Sequence, residues 1–226
     1  MLRAVIFDFD GVITDSETLH FRAFNKALEQ FGVEITTGDY YEDYLGLMDI
    51  DCFAMIADKN RLGLNARQIK NLARQKNQVF EELAKTEARI IEGVRDFLVM
   101  LKHNDITMAI CSGAILREIE LILEKAELRF FFEVIVSAEQ VKKGKPNPEG
   151  FLLALQKLNE EKVHPILAGQ CIVIEDSHWG LEAAKAAGMH TIAVTNSYTA
   201  EQLTMAEKIV KQLDALSIVD LQKLCV

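Results

Sequence analysis

The sequence predicts an α/β protein, a doubly wound parallel sheet that carries an inserted block of helices. Short apolar runs without polar alternation recur along the chain, separated by amphipathic stretches, as in strands covered on both faces. Residues from about 15 to 90 break that rhythm with helical patterns alone. Reactive side chains follow three of the apolar runs, where ligand sites of open α/β sheets gather.

Composition narrows the class. The 226 residues are 50% apolar and 26% charged, which excludes disorder and suits one large domain or a domain with a smaller insert. A formal net charge of −9 argues against nucleic-acid or anionic-membrane partners, because phosphate backbones demand a basic face. No run of ~18 uncharged apolar residues suggests a membrane span. The opening run meets Asp8 too early for the apolar core of a signal peptide. Cys52, Cys111, Cys171 and Cys225 are scattered, with neither CxxC nor zinc-like spacing, and read as buried, reduced thiols of a cytoplasmic protein.

The elements follow in order. Ala4–Phe9 is the first strand. Helices are expected over Thr18–Phe31, Asp49–Arg61 and Ala66–Ala88. Phe24, Ala27, Leu28 and Phe31 share one face of the first; Ile69, Leu72, Ala73, Val79, Phe80 and Leu83 share one face of the third. Strands return at Ile106–Cys111 and Val134–Val136. Asn147 then caps a helix with Pro148 at its first position. After the strand Cys171–Ile174, a helix over Trp179–Ala187 ends at Gly188. Thr191–Val194 is a further strand, Thr199 with Gln202 has the spacing of a capping box, and Lys208–Val210 is a weaker strand. Residues 1–14 and 91–226 therefore form the core and 15–90 a helical cap, joined by hinge strips at Val12–Glu17 and Ile90–Val94.

The strand ends carry the chemistry. The first leads into Asp8-Phe9-Asp10-Gly11, another into Ser112-Gly113, a third into Glu175-Asp176-Ser177. Lys145 lies in a loop that reaches the same crevice. Up to four carboxylates (Asp8, Asp10, Glu175 and Asp176) thus face one lysine. Two like charges at ~4 Å cost about 4 kcal/mol even at an effective dielectric near 20. Such a cluster needs a cation, and oxygen-only ligands favour a hard one such as Mg²⁺. With Mg²⁺ and Lys145 in place, the site accepts a phosphate dianion, its oxygens bonded by Ser112 and nearby backbone N–H groups.

Four motifs in order, Asp8-Phe9-Asp10-Gly11-Val12, Ser112, Lys145 in Gly-Lys-Pro-Asn-Pro, and Glu175-Asp176-Ser177, resemble the haloacid dehalogenase superfamily of phosphotransferases over essentially the whole chain. The stretch from Gly180 to Met189 and the helical insert are similar to its helical-cap branch, which holds β-phosphoglucomutase and phosphoglycolate-phosphatase-like enzymes. The resemblance implies a Rossmann-like core. It makes Asp8 the nucleophile that forms an aspartyl phosphate and Asp10 the acid that protonates the leaving alkoxide and then activates water. It implies Mg²⁺ held by Asp8, the backbone carbonyl of Asp10 and Asp176, with Glu175 a ligand or a supporting partner. Lys145 neutralises charge, and Ser112 serves the phosphate together with Phe9, Gly11 and Gly113. Gly11 and Gly113 would allow close backbone approach to the phosphate.

Cap residues are read against plainer alternatives. A lone helical histidine is most often packed or solvated, but related mutases carry one at His20, which assigns it a catalytic or gating role. Lys142 and Lys143 read as solvent-facing, and Trp179 as a helix-start residue. The loop Leu45-Gly46-Leu47-Met48-Asp49-Ile50-Asp51 offers two carboxylates and no cation, where a mutase needs cations for a second phosphate. Arg74-Gln75-Lys76-Asn77 resembles a substrate-contacting stretch of mutases, which makes Lys76 a substrate-binding candidate; the plainer alternative is a solvated position on the third cap helix.

These readings favour a Mg²⁺-dependent phosphatase acting on a small phosphorylated metabolite, such as a sugar phosphate. β-Phosphoglucomutase activity is the alternative, and a non-catalytic phosphate-binding module a remote one. Dehalogenation lacks use for the second Asp, and phosphonate hydrolysis lacks a lid lysine near the hinge. A monomer is usual for this size and fold.

Overall fold

The computed structural model describes residues 1–225. The chain opens with β1 (Ala4–Phe7) and the two-residue β2 (Thr14–Asp15). Four helices follow: α1 (Glu17–Leu28), the short α2 (Thr37–Asp39) continuing into a π-helical turn over Tyr40–Tyr44, α3 (Asp49–Lys59) and α4 (Ala66–Glu87). After β3 (Arg89–Ile90) come α5 (Val94–His103), β4 (Thr107–Cys111), α6 (Leu116–Lys125), β5 (Val134–Val136), α7 (Glu149–Asn159) and β6 (Cys171–Glu175). The chain closes with α8 (His178–Ala186), β7 (His190–Val194), β8 (Lys208–Val210) and α9 (Ile218–Leu224).

Six strands form one parallel sheet in the order β5-β4-β1-β6-β7-β8. Phe7 lies opposite Ile110 on β4 and Ile174 on β6, so the residues after these three strands emerge together at one edge. From β1 the chain steps outward through β4 and β5, then crosses back to β6 on the other side. The switch point therefore falls beside β1, where ligands of doubly wound sheets bind.

Both faces of the sheet are covered, which is why its strands read as unbroken apolar runs. Val5 and Phe7 enter one layer with α5, α6 and α9. Ala4 and Ile6 enter the other with α7 and α8. Phe7 meets the edges of Phe97 and Phe132 at centroid separations of 6.1 and 5.9 Å. Burying one such ring contributes about 2–3 kcal/mol.

The helical cap packs around Phe24, Phe53, Ile56, Ile69 and Leu72, in a cluster that runs on into Leu181, Ala193, Tyr198 and Leu203 of the core. Leu19, Ala23, Phe80 and Ala84 join the apolar cluster of the sheet layer, so the cap is seated on the core. α4 starts at a capping box: Asn65 Oδ1 accepts from the N–H groups of Arg67 and Gln68, and Gln68 Oε1 accepts from Asn65 N–H.

Several local expectations need correction. The helical block contains the antiparallel pair Thr14↔Ile90 and Asp15↔Arg89, too short to leave a period in the sequence. The first helix tightens at Glu29 into a 3₁₀ turn, which rotates Phe31 off the buried face to 36% exposure. Gln202 accepts from Thr199 N–H at 3.1 Å, but the segment makes turns and no helix. Other features follow the reading. Asn147 Oδ1 accepts from Glu149 N–H, Gly188 follows α8 at φ +74°, and all four cysteines are buried and unpaired.

Candidate active site

Asp8 follows β1 directly and is locked by its N–H to Ile174 O at 2.9 Å. Lys145 reaches it from the loop before α7. That loop is shaped by the Glu149 carboxylate, which accepts from Lys142 and Lys143 N–H, and by Asn147 N–H donating to Gly144 O. The Lys145 ammonium donates to Asp8 Oδ1 and Glu175 Oε1. The other oxygen of Glu175 accepts from Asp176 N–H, Ser177 N–H and Ser177 Oγ at 2.9–3.2 Å. Both Glu175 oxygens are thus engaged.

Asp8, Glu175 and Asp176 are buried and offer oxygens that all lie within 4.8 Å of one another. Burial pushes the Asp8 carboxyl well above its ordinary value; Lys145 opposes this, and Glu175 and Asp10 add to it. Asp176 is likewise pushed well up by burial, then by Asp8 and Glu175. Against burial, Asp8 and Glu175 hold the Lys145 ammonium far above its usual range. Three carboxylates beside one ammonium leave a negative excess, and all donors are hard oxygens. That combination fits a divalent cation of the Mg²⁺ kind. The backbone leaves no slack there: a Cβ on Gly11, whose φ is +78°, would lie 1.8 Å from Asp176 Oδ2.

The Asp10 carboxylate is not part of this group, contrary to the count of four made from the sequence. Its Oδ1 turns toward the cap, where Ser16 Oγ donates to it and His20 Nε2 lies at 3.1 Å. Burial works to raise Asp10, yet His20 and Ser16, with Lys76 behind them, bring it below the ordinary carboxylate value.

Lys76 overturns the solvated alternative most sharply. It is 0% exposed, with its ammonium 3.0 Å from Asp49 Oδ1 and 2.7 Å from His20 Nδ1. Its charge also lies over the Phe24 and Phe80 rings at 5.3 and 5.1 Å. Burial would neutralise it, but Asp49 first and then Glu118 hold it above its usual value. An ammonium has only donors, so His20 Nδ1 accepts and Nε2–H donates to Asp10. His20 is packed, stacked on Phe80 at 4.0 Å. Asp49, counted from the sequence as an uncompensated carboxylate, is therefore neutralised.

A narrow cleft lies between cap and core. Asp8, Asp10, Ser112 and Lys145 line its floor. Glu17, His20, Tyr40, Tyr44 and Asp49 line the cap side, whereas Lys76 does not reach it. Ser112 continues the β4–β5 ladder through its N–H to Val136 O, and its Oγ accepts from Ala114 N–H. The cap loop at Gly46 and Leu47 rests on Gly113, where an added Cβ would sit 3.6 Å from Leu47 O. That is ordinary contact, so protein packing alone does not demand Gly113. The Phe9 side chain belongs to the core, and its carbonyl accepts from Ile13 and Thr14 N–H. Trp179 is half-buried at the start of α8, and Lys142 and Lys143 are exposed, all as expected.

Sequence reasoning missed several contributors. Ser197 Oγ donates to Asp176, and Asn196 donates to Gly11 O at 2.7 Å. Both follow β7, a fourth strand end that reaches the same crevice. Glu17 accepts from Tyr40 OH at 2.6 Å inside the cleft wall; the box Thr36-x-x-Asp39 marked the helix that delivers Tyr40. Nothing local signalled the burial of Glu118.

Known proteins fit this geometry. A family profile described as haloacid dehalogenase-like hydrolase matches residues 5–194. A phosphorylated carbohydrates phosphatase of Thermotoga maritima is 33% identical over 192 residues, covering 84% of each chain. Hexitol phosphatase B of Escherichia coli is 33% identical over 197 residues, covering 84% of this chain and 82% of its own. The crystal structure of a β-phosphoglucomutase from Clostridium difficile superposes with a TM-score of 0.88 at 26% identity, covering 100% of this chain and 97% of that one.

Proposed function

The chain belongs to the haloacid dehalogenase-like hydrolases, on their β-phosphoglucomutase-like branch, and from that premise we propose a Mg²⁺-dependent phosphatase of small sugar-like phosphomonoesters working through an aspartyl phosphate. The observation that carries this reading is the division of labour between two carboxylates two residues apart. Asp8 is paired with Lys145 through one oxygen, and its other oxygen has no hydrogen bond among the described residues. Asp10 is turned aside and bonded through one oxygen to the cap.

In the first step the free Asp8 oxygen attacks phosphorus, and the bond from phosphorus to the ester oxygen breaks. Asp10 takes up a proton from solvent and passes it to the departing alkoxide from the oxygen not held by His20 and Ser16; the ionised form that those donors favour then serves as the base. In the second step Asp10 takes a proton from water as that water attacks the phosphorus, releasing phosphate and restoring Asp8. Lys145 and the Ser112 hydroxyl neutralise and orient the phosphoryl oxygens. Asp8, Asp176 and the Asp10 carbonyl would hold Mg²⁺, with Glu175 in support, since both its oxygens are already engaged. The ion would supply charge neutralisation at the transferring group.

The cap sets the substrate class. Its cleft side presents Glu17, Asp49, Tyr40 and Tyr44, and its one buried cation is committed to Asp49 and His20. Carboxylates and phenols suit hydroxyl groups, and a second phosphate would find no free cation there. Residues 15–90 serve as the cap, moving on the strips Val12–Glu17 and Ile90–Val94 to exclude and readmit water. The mutase reading is supported by the likeness to β-phosphoglucomutases in both sequence and structure.

Phosphate release with Mg²⁺ across a panel of phosphomonoesters, beside a coupled assay for glucose 6-phosphate, tests the choice. Release from several hexose or hexitol phosphates, abolished by chelator and restored by Mg²⁺, is expected. Formation of the isomer without release would establish the mutase. Asp10→Asn should lower turnover about 10²–10⁴-fold while retaining phosphate and Mg²⁺ binding; full turnover would refute the acid/base assignment.

A further inference from the structure

Glu118 lies on α6, six residues beyond Ser112, and is 1% exposed. Neither carboxylate oxygen has a hydrogen-bond partner. Its neighbour Arg117 pairs with Glu81 at 2.9 Å, marking the outer edge of the seam between core helix α6 and cap helix α4. Glu118 points inward from that edge. The charged groups around it are Lys76 on α4 and His20 on α1, which favour its ionised form, and Asp49 on α3 and Asp10, which oppose it. Burying a carboxylate without hydrogen bonds is costly unless a cation compensates it. Lys76 is that cation, and it acts through space: its ammonium bonds Asp49 and His20, and its charge compensates Glu118 with no direct hydrogen bond between them.

We propose that Glu118 is a positioning residue for the hydrolytic reaction, the core-side counter-charge that fixes the cap ammonium of Lys76 against His20 and thereby holds His20 as a donor to Asp10. This rests on the acid/base reading of Asp10. Lys76, Asp49 and His20 all belong to cap helices, whereas Glu118 and Asp10 belong to the core. The five groups come together only with the cap seated, so Glu118 ties cap closure to the state of the acid. Burial also pushes the Glu118 carboxyl up to about 7. It therefore loses its charge as pH falls through neutrality, and the grip on Lys76 weakens there.

The test compares wild type, Glu118→Gln, Lys76→Met and the double variant by steady-state phosphate release between pH 5.5 and 8.5, with melting curves alongside. Glu118→Gln should lower kcat about tenfold with KM within about twofold, and flatten the fall of kcat on the acid side of pH 7. On the Lys76→Met background it should change kcat little, because the group it acts through is gone. Glu118→Asp, which keeps the charge, should recover most of kcat. Equal losses on both backgrounds would indicate a merely structural residue and overturn the proposal, as would an unchanged kcat and acid limb in Glu118→Gln. If Glu118→Gln does not fold, Lys76→Met alone decides: an acid limb persisting near pH 7 overturns the proposal. Active Asp10→Asn would instead remove the reading on which it stands; inactive Asp10→Asn beside unperturbed Glu118→Gln would remove the Glu118 role alone.

Discussion

Replacing Lys145 by methionine should turn the floor of the cleft into an electrostatic fault whose depth depends on pH and on metal. Lys145 is the one ammonium against Asp8 and Glu175, whose side chains are 11% and 0% exposed, and Asp176 lies in the same group. Breaking a buried ion pair on one side costs about 3–5 kcal/mol. For a chain of this length that corresponds to a fall in Tm of about 6–20 °C. The cost has a sign in pH. Asp8 and Asp176 are already raised above their unfolded values, so the native state holds their protons to higher pH than the unfolded chain does. Their contribution to stability is present at low pH and lost as pH rises through the folded values. Removing Lys145 raises them further, so the variant should approach wild type near pH 5.5 and fall furthest behind near pH 8. Mg²⁺ should restore part of the loss, about 2.7 kcal/mol at a hundred times its Kd. Melting curves at both pH values, with Mg²⁺ and with chelator, read all of this. A variant that melts with wild type at pH 8 in chelator would refute the charge argument, whatever its activity.

Two further changes probe the walls. Tyr40→Phe removes the donor to Glu17 Oε2, leaving a buried carboxyl that burial has already raised. It should cost about 1–3 kcal/mol, more at pH 8 than at pH 5 because the lost bond served the ionised form; equal Tm shifts at both pH values would contradict that. Gly11→Ala places a Cβ 1.8 Å from Asp176 Oδ2 on a backbone at φ +78° and should weaken Mg²⁺ about 10–100-fold in activity titrations. Undiminished Mg²⁺ affinity would mean that Asp176 is not a ligand.

The parts legible in the sequence share one property: their signal is local. Strands buried on both faces must be apolar throughout, so β1, β4 and β6 were readable, and Asp8, Ser112 and Asp176 follow them within a residue. Once the sheet order is parallel, their convergence follows from register alone. What escaped depends on contacts between segments far apart in the chain. A lysine on an amphipathic helix reads as solvent-facing, and Asp49, His20 and Glu118, 27, 56 and 42 positions away, make its burial tolerable. Glu118 sits in a helical turn typical of exposed glutamates, and its burial is created by α4 crossing α6. Asp10 sits in the same short motif as Asp8, yet the orientation of its carboxyl is decided by Ser16 and His20 on the cap.

That last contact would let the cap choose a substrate and a moment for chemistry with the same residues. In the seated cap, Asp49 neutralises Lys76, Lys76 donates to His20, and His20 donates to Asp10. Asp49 at one end of this chain and Asp10 at the other both line the cleft. A substrate carrying a second phosphate would meet Asp49 and Glu17 and could be accepted only by drawing Lys76 away from Asp49. Doing so would take the donor from His20 and loosen Asp10. Discrimination against bisphosphates and readiness of the acid are then coupled through a single ammonium. On this argument a change that frees Lys76 to bind a second phosphate must also slow hydrolysis, which separates the phosphatase from a mutase more sharply than affinity alone.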